Sequence, residues 1–248
     1  MTLFARHQTG YFLTDAGREV LRHAEGVEES ILALERSATG LDKTPAGTVR
    51  LATSESLATD LIIPAMPAFR ASYPRICLEI VTSTVAAELG RHEADIALRV
   101  VQPTRGNLKV RRVGHMTYSV YGSRTYVEQH PFIEGEPLGG RHIIAWDENH
   151  AHLPAAAWLA REHPDCPIAL VATSLPMQIA AVRAGLGLAV VPDFLAAEED
   201  FVQVIPADQM FSNEVWLVTH ADLIASARIR AVGDFLADQV NANPDLAR

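Results

Sequence analysis

The residues of this chain best suited to holding a small molecule stand at the ends of short apolar runs. Thr53-Ser54-Glu55-Ser56 follows one such run, and Thr173-Ser174 follows another. A turn from a strand into a helix offers free backbone N–H groups and hydroxyls, and together these hold a carboxylate or another acceptor. The competing use of Ser54 or Ser56, and of Thr173 or Ser174, is to cap the helix that follows. Pro176 lies where a first helical turn is expected, which supports a helix start there. Glu55 would repel an anion, so it is expected to face solvent or to meet a donor group on the ligand. Arg99 ends the apolar segment Ile96-Ala97-Leu98, either to pair with an acidic ligand or to form a rim salt bridge with Glu93 or Asp95. Trp146 ends Ile143-Ile144-Ala145, as an aromatic wall or as core packing.

Other candidates are weaker. Asp147-Glu148-Asn149-His150-Ala151-His152 holds metal-ligand types, but in a loop without the fixed spacing that zinc needs, so no metal site is assigned. Cys77 and Cys166 are far apart, match no zinc spacing and read as free thiols of a reducing cytoplasm. There is no G-x-S-x-G elbow, strand-end G-x-G-x-x-G, H-E-x-x-H or P-loop, so neither an enzyme nor a cofactor is expected. Near the amino end, Arg6, His7, Gln8 and Tyr11 form a short basic hairpin suited to phosphate contacts, which position a protein on DNA without reading sequence.

A long helix should follow that hairpin. Thr14 is a good N-cap, and Ala16, Val20, Ala24, Val27, Ile31, Leu34 and Ala38 recur at steps of three and four. Such a seam faces a partner helix, so Val20, Ala24, Val27, Ile31 and Leu34 are expected to dimerise. The alternative is a helix packed on its own domain. Gly40 reads as a C-cap and residues 41–47 as a hinge.

From residue 48 the chain alternates extended and helical segments. Strands are expected at 48–53, 76–81, 95–100, 108–113, 118–121, 143–146, 168–172, 188–191 and 216–219. Helices are expected at 57–72, interrupted by Pro64 and Pro67, and at 86–92, 124–130, 155–163, 177–184 and 225–239, the last burying Ile229, Val232, Phe235 and Leu236. That order implies an α/β fold with parallel sheets and right-handed crossovers. The number of strands fits two sheets with a cleft between them better than one.

Composition sets outer bounds. The chain has 248 residues, 48% hydrophobic and 21% charged, with net charge −9. It has no apolar run of the roughly 18 residues a membrane helix needs and no signal-peptide core, so a cytoplasmic location is expected. Residues 1–24 carry +1, leaving −10 on the rest, so any DNA contact is expected from the first two dozen residues or from a segment absent from this chain.

These segments together resemble the LysR-type transcriptional regulators. Phe4-x-Arg6…Leu13-Thr14-x-Ala16-Gly17 is similar to their wing and the start of their linker helix. Gly47-Thr48-Val49-Arg50-Leu51 resembles the first strand of their effector domain, and Ile63-Pro64…Phe69-Arg70-x-x-Tyr73-Pro74…Leu78-Glu79 the next helix and strand. Glu93-Ala94-Asp95-Ile96-Ala97-Leu98-Arg99 is similar to a further strand, and Ala181-Val182-x-Ala184-Gly185-Leu186-Gly187-Leu188-Ala189-x-x-Pro192 to a helix-turn-strand of the second subdomain.

The resemblance implies a winged helix-turn-helix regulator with a periplasmic-binding-protein-like (type 2) effector domain. On that plan residues 1–13 are the remnant of the winged domain, 14–40 the linker helix and 41–47 the hinge. The effector domain covers 48–248, with subdomain I at 48–120 and 219–248 and subdomain II at 121–218. The family's first helices and most of its recognition helix are expected before Leu3. A small effector is expected in the cleft, on Ser54, Glu55, Ser56, Arg99, Trp146, Thr173 and Ser174; Arg99 and the serines suit a carboxylate. Homodimers or dimers of dimers are expected, with no membrane. Two alternatives stay open: a chain that senses ligand and dimerises without binding DNA itself, and a solute-binding-like protein.

Overall fold

The computed structural model describes residues 1–7, 10–40, 45–82, 94–103, 107–131, 138–197 and 199–247; within these, the side chains of His7, Glu25, 28–30 and 32–40 are left aside. Gln8, Glu93, the helix expected at 86–92, most of the hinge and the side chains of His7 and Leu34 therefore lie outside the described residues.

The amino end is the expected hairpin and helix. Strands β1 (Phe4–His7) and β2 (Gly10–Leu13) pair antiparallel, with Arg6 opposite Tyr11. Helix α1 (Asp15–Gly40) follows. Thr14 caps it: the Gly17 N–H donates to Thr14 Oγ1 at 3.0 Å, and the hydroxyl donates to the Thr2 carbonyl at 2.8 Å. Gly17 is needed here, because a Cβ would lie 2.1 Å from the Leu3 carbonyl oxygen, against which the first turn packs. Along α1, Val20, Ala24, Val27 and Ile31 are exposed, Val27 at 61% and Ile31 at 54%.

Two sheets follow, and they share a strand. In the first, β3 (Gly47–Thr53) lies between β4 (Ile76–Thr82) and β5 (Ile96–Arg99), parallel to both. Antiparallel β11 (Ser212–His220) joins β5 to β6 (Leu108–Ser123), so the order is β4-β3-β5-β11-β6. In the second, β6 pairs antiparallel with β10 (Phe201–Ile205) on one side and β9 (Ala189–Pro192) on the other. A bridge from Leu188 to Ile143 brings in β7 (Ile143–Trp146), which pairs parallel with β8 (Ile168–Ala172). The pairing of β6 with β11 ends at Thr117, and its pairing with β9 begins at Tyr118.

Helices cover the sheets. On the first, a π-helical stretch Leu57–Ile62 runs into α2 (Ile63–Ser72), and α7 (Ala227–Ala242) buries Ile229, Val232, Leu236 and Val240. On the second sit α3 (Arg124–Gln129), α4 (Pro154–Glu162), α5 (Leu175–Arg183) and the short α6 (Asp193–Ala196). The fully buried side chains include Leu51, Ile62, Ile96 and Leu98 in the first half and Leu138, Ile143, Ile144 and Leu188 in the second.

The α/β class and the two-sheet architecture hold, and three expectations are corrected. The sheets are mixed rather than parallel: β6 and β11 run against their neighbours because each passes between the two halves instead of returning through a helix. The strands expected at 108–113 and 118–121 are one strand of 16 residues, Leu108–Ser123. Gly114 inside it marks a close approach rather than a break, since a Cβ there would lie 2.4 Å from both the Leu246 carbonyl oxygen and Val240 Cγ1. The prolines do not interrupt the helix after β3: a π-helical stretch leads into α2, Pro64 falls in its first turn, where no intrahelical N–H is needed, and Pro67 is carried inside it. Strand β10 had no expected counterpart.

Candidate functional site

The carboxyl ends of β3, β4, β5, β7, β8 and β9 converge on one cavity of about 450 Å³. Parallel strands leave their polar turns at these ends, and opposed sheets place the turns face to face. All seven residues expected at a ligand site, Ser54, Glu55, Ser56, Arg99, Trp146, Thr173 and Ser174, line it.

On the first-sheet side, Thr53 is buried and its hydroxyl donates to the Leu98 carbonyl at 3.0 Å. That bond ties the end of β3 to the end of β5 and sets the serine turn beside Arg99. Ser54 caps the following helix at long range, with its Oγ 3.4 Å from the Leu57 nitrogen, and the Ser56 side chain, 6% exposed, makes no cap bond. Glu55 is exposed, as expected of a carboxylate that would otherwise repel an anion.

On the other side, Ser174 occupies the N-cap position of α5 in extended conformation (φ −143°, ψ 151°) without using its side chain to cap. The first turn of α5 thus reaches the cavity with its N–H groups and a hydroxyl not spent on it. Thr173 Oγ1 is 4.0 Å from Met177 Sδ.

Trp146 is half-buried, packs against the core and lines the cavity. Its ring lies 5.2 Å from that of His150, which lies 6.4 Å from that of His152. Asp147 hydrogen-bonds His150 Nδ1, and this contact first of all holds the Asp147 carboxyl below the usual carboxylate range. Among the described residues no group of three or more His, Cys, Asp or Glu is placed to hold a metal ion. Cys77 is exposed and Cys166 half-buried, both free thiols.

Sequence reasoning missed His150 and His152 as cavity residues, together with Met116, Tyr118 and Phe194. A signal existed for two of them. On β6 Met116 and Tyr118 alternate with Thr117, Ser119 and Tyr121, so the polar set must turn to the opposite face. There Asp193 accepts from the Thr117 hydroxyl and, at 2.9 Å, from the Tyr121 phenol, while Gln203 Nε2 donates to Ser119 Oγ at 2.8 Å. Asp193 stands between Pro192 and Phe194, both lining residues, so the cavity wall is tied through it to the crossing strand. Burial, then hydrogen bonding and charge at Asp193, push the Tyr121 phenol up to about 12; burial alone raises Tyr118 to about 12.

Known proteins share this plan. The chain is 27% identical over 253 aligned positions to an HTH-type transcriptional regulator of Xanthomonas campestris, covering 94% of this chain and 71% of that one. It is 26% identical to the Mau operon transcriptional activator of Paracoccus denitrificans, over 86% of this chain and 71% of that one. The fold matches that of CrgA, a LysR-type transcriptional regulator from Neisseria meningitidis, with TM-score 0.69 at 24% identity over 96% of this chain and 84% of that one. It also matches the Vibrio cholerae virulence activator AphB, with TM-score 0.67 at 21% identity over the same shares. These relatives are regulators, not enzymes. Among the described residues no helix is long and apolar enough to cross a membrane. The LysR substrate binding domain model matches residues 42–241, and the chain belongs to the LysR family of transcriptional regulators.

Proposed function

We propose that this chain is a cytoplasmic homo-oligomeric regulator controlled by a small acidic effector bound in the cavity between its two sheets. Ser54, Ser56, Arg99, Thr173 and Ser174 hold the effector, Trp146 walls it, and Glu55 meets a donor group on it at the mouth. The observation that carries this reading is the convergence of those seven residues on one cavity from turns more than a hundred residues apart. Subdomain I comprises residues 48–120 and resumes at residue 212 rather than the expected 219, because β11 lies inside the first sheet, which leaves residues 121–211 to subdomain II. Residues 1–13 belong to the winged DNA-binding domain and residues 14–40 dimerise. Exposed Arg6 and Tyr11, with His7 and Gln8, serve phosphate contacts. Dimers, singly or paired, bring such wings together on one duplex.

The test is a thermal-unfolding screen of the chain against a mixture of small metabolites, acids and amines alike. Stabilisation by one or more acids is expected, at about 2.7 kcal/mol when ligand is present at a hundredfold its Kd. Arg99→Gln should remove most of it. Stabilisation by amines alone would reverse the charge assignment.

A further inference from the structure

We propose that the effector is a planar aromatic acid, its ring against the Trp146–His150–His152 wall and its carboxylate toward Arg99 and the helix starts at Ser54 and Ser174. This rests on reading the cavity as the effector site and adds the chemical class of what enters it.

The wall is built rather than incidental. Three π-systems follow one another from the end of β7 into the next loop, half-buried at Trp146 and His150 and exposed at His152, so they run from the interior to the mouth. Each histidine is tethered. Asp147 holds His150 Nδ1, and the Asn149 carbonyl lies 3.1 Å from His152 Nδ1. Rings fixed before the ligand arrives lose little rotamer freedom on binding. Stacked or tilted aromatic pairs gain an amount beyond area burial that converts to roughly two- to tenfold in affinity. A saturated ring of the same size buries similar area and gains none of this.

An aromatic wall alone would also suit an ammonium ion. The charges decide otherwise. Among the described lining residues Arg99 is the only Lys or Arg, while the only acidic one, Glu55, is exposed and screened by solvent. A ligand cation would meet Arg99 and the positive ends of two helices; a carboxylate is attracted by all three.

Calorimetric titration of the chain with four probes tests this: benzoate, 2-naphthoate, cyclohexanecarboxylate and benzyltrimethylammonium. The two aromatic acids should bind roughly two- to tenfold more tightly than cyclohexanecarboxylate. In a His150→Ala/His152→Ala variant that preference should shrink toward unity while cyclohexanecarboxylate still binds. Should the double variant not fold, His152→Ala alone, at the exposed mouth, reports the same loss in smaller measure. Equal binding of benzoate and cyclohexanecarboxylate would sink the aromatic assignment and leave the effector site standing. Binding of the ammonium probe in place of the acids would sink the carboxylate. Silence from all four overturns the class, and the effector-site reading falls with it only if the metabolite screen, which presupposes no ring, is blank as well.

Discussion

Tyr118 and Tyr121 stand on one strand, face opposite ways and are both kept neutral far up the pH scale. Tyr118 looks into the cavity; Tyr121 donates to Asp193 on the other side. Each phenol is raised from its ordinary 10.0 to about 12 in the folded chain, so the unfolded chain loses these protons first. The stability they contribute is complete below pH 10 and is lost as pH rises through about 12. Tyr121→Phe should cost about 1–2 kcal/mol at neutral pH by leaving Asp193 one bond short. The deficit should narrow toward pH 11, where Phe has no proton to lose. Urea unfolding of both proteins at pH 8 and pH 11 checks this; a gap that stays constant or widens would refute it. At this scale the sequence was readable where chemistry interrupts an apolar run, as at Ser54, Arg99, Trp146 and Ser174. It was silent at His150 and His152, because a loop's path depends on what it packs against and two polar residues in a loop carry no period.

Elements were legible where period and punctuation agree and misread where a glycine or proline serves packing instead of a turn. Thr14 capped α1 as its type required, and the apolar face of α7 was the one its spacing marked. Gly114 is the counterexample. It keeps β6 continuous while letting the carboxyl-terminal segment cross over it, where the His115 N–H donates to the Leu246 carbonyl at 2.7 Å. Gly114→Ala should therefore destabilise the chain by about 2–3 kcal/mol, since the obstacle includes backbone and cannot rotate away. Gly26 is the control. It lies within exposed α1 with nothing within 4 Å of an added Cβ, so Gly26→Ala should stabilise that helix by about 0.5–1 kcal/mol. Thermal melts of the two variants give opposite signs. A neutral or stabilising Gly114→Ala would mean that the packing at Leu246 does not matter.

At the scale of the whole molecule, the exposed stripe on α1 predicts assembly. The helix extends about 39 Å at 1.5 Å per residue and presents Val20, Ala24, Val27 and Ile31 to solvent. Val27→Asp with Ile31→Asp should shift sedimentation toward the monomer while the monomer's own core stays intact. An unchanged sedimentation coefficient would place the dimer contact elsewhere. The overall architecture was legible because alternating strands and helices admit few arrangements. The mixed pairing was not, because nothing in the composition of β6 or β11 records which neighbour each runs against. That pairing bears on how the chain is made. Strand β11 lies inside the first sheet, between β5 and β6, yet residues 212–220 come after every other strand. The second sheet has all its strands once Ile205 has emerged from the ribosome. The first must wait with its middle vacant until its last strand is delivered. During synthesis the apolar edges of β5 and β6 therefore stand open longest, and chaperone capture and aggregation should concentrate there.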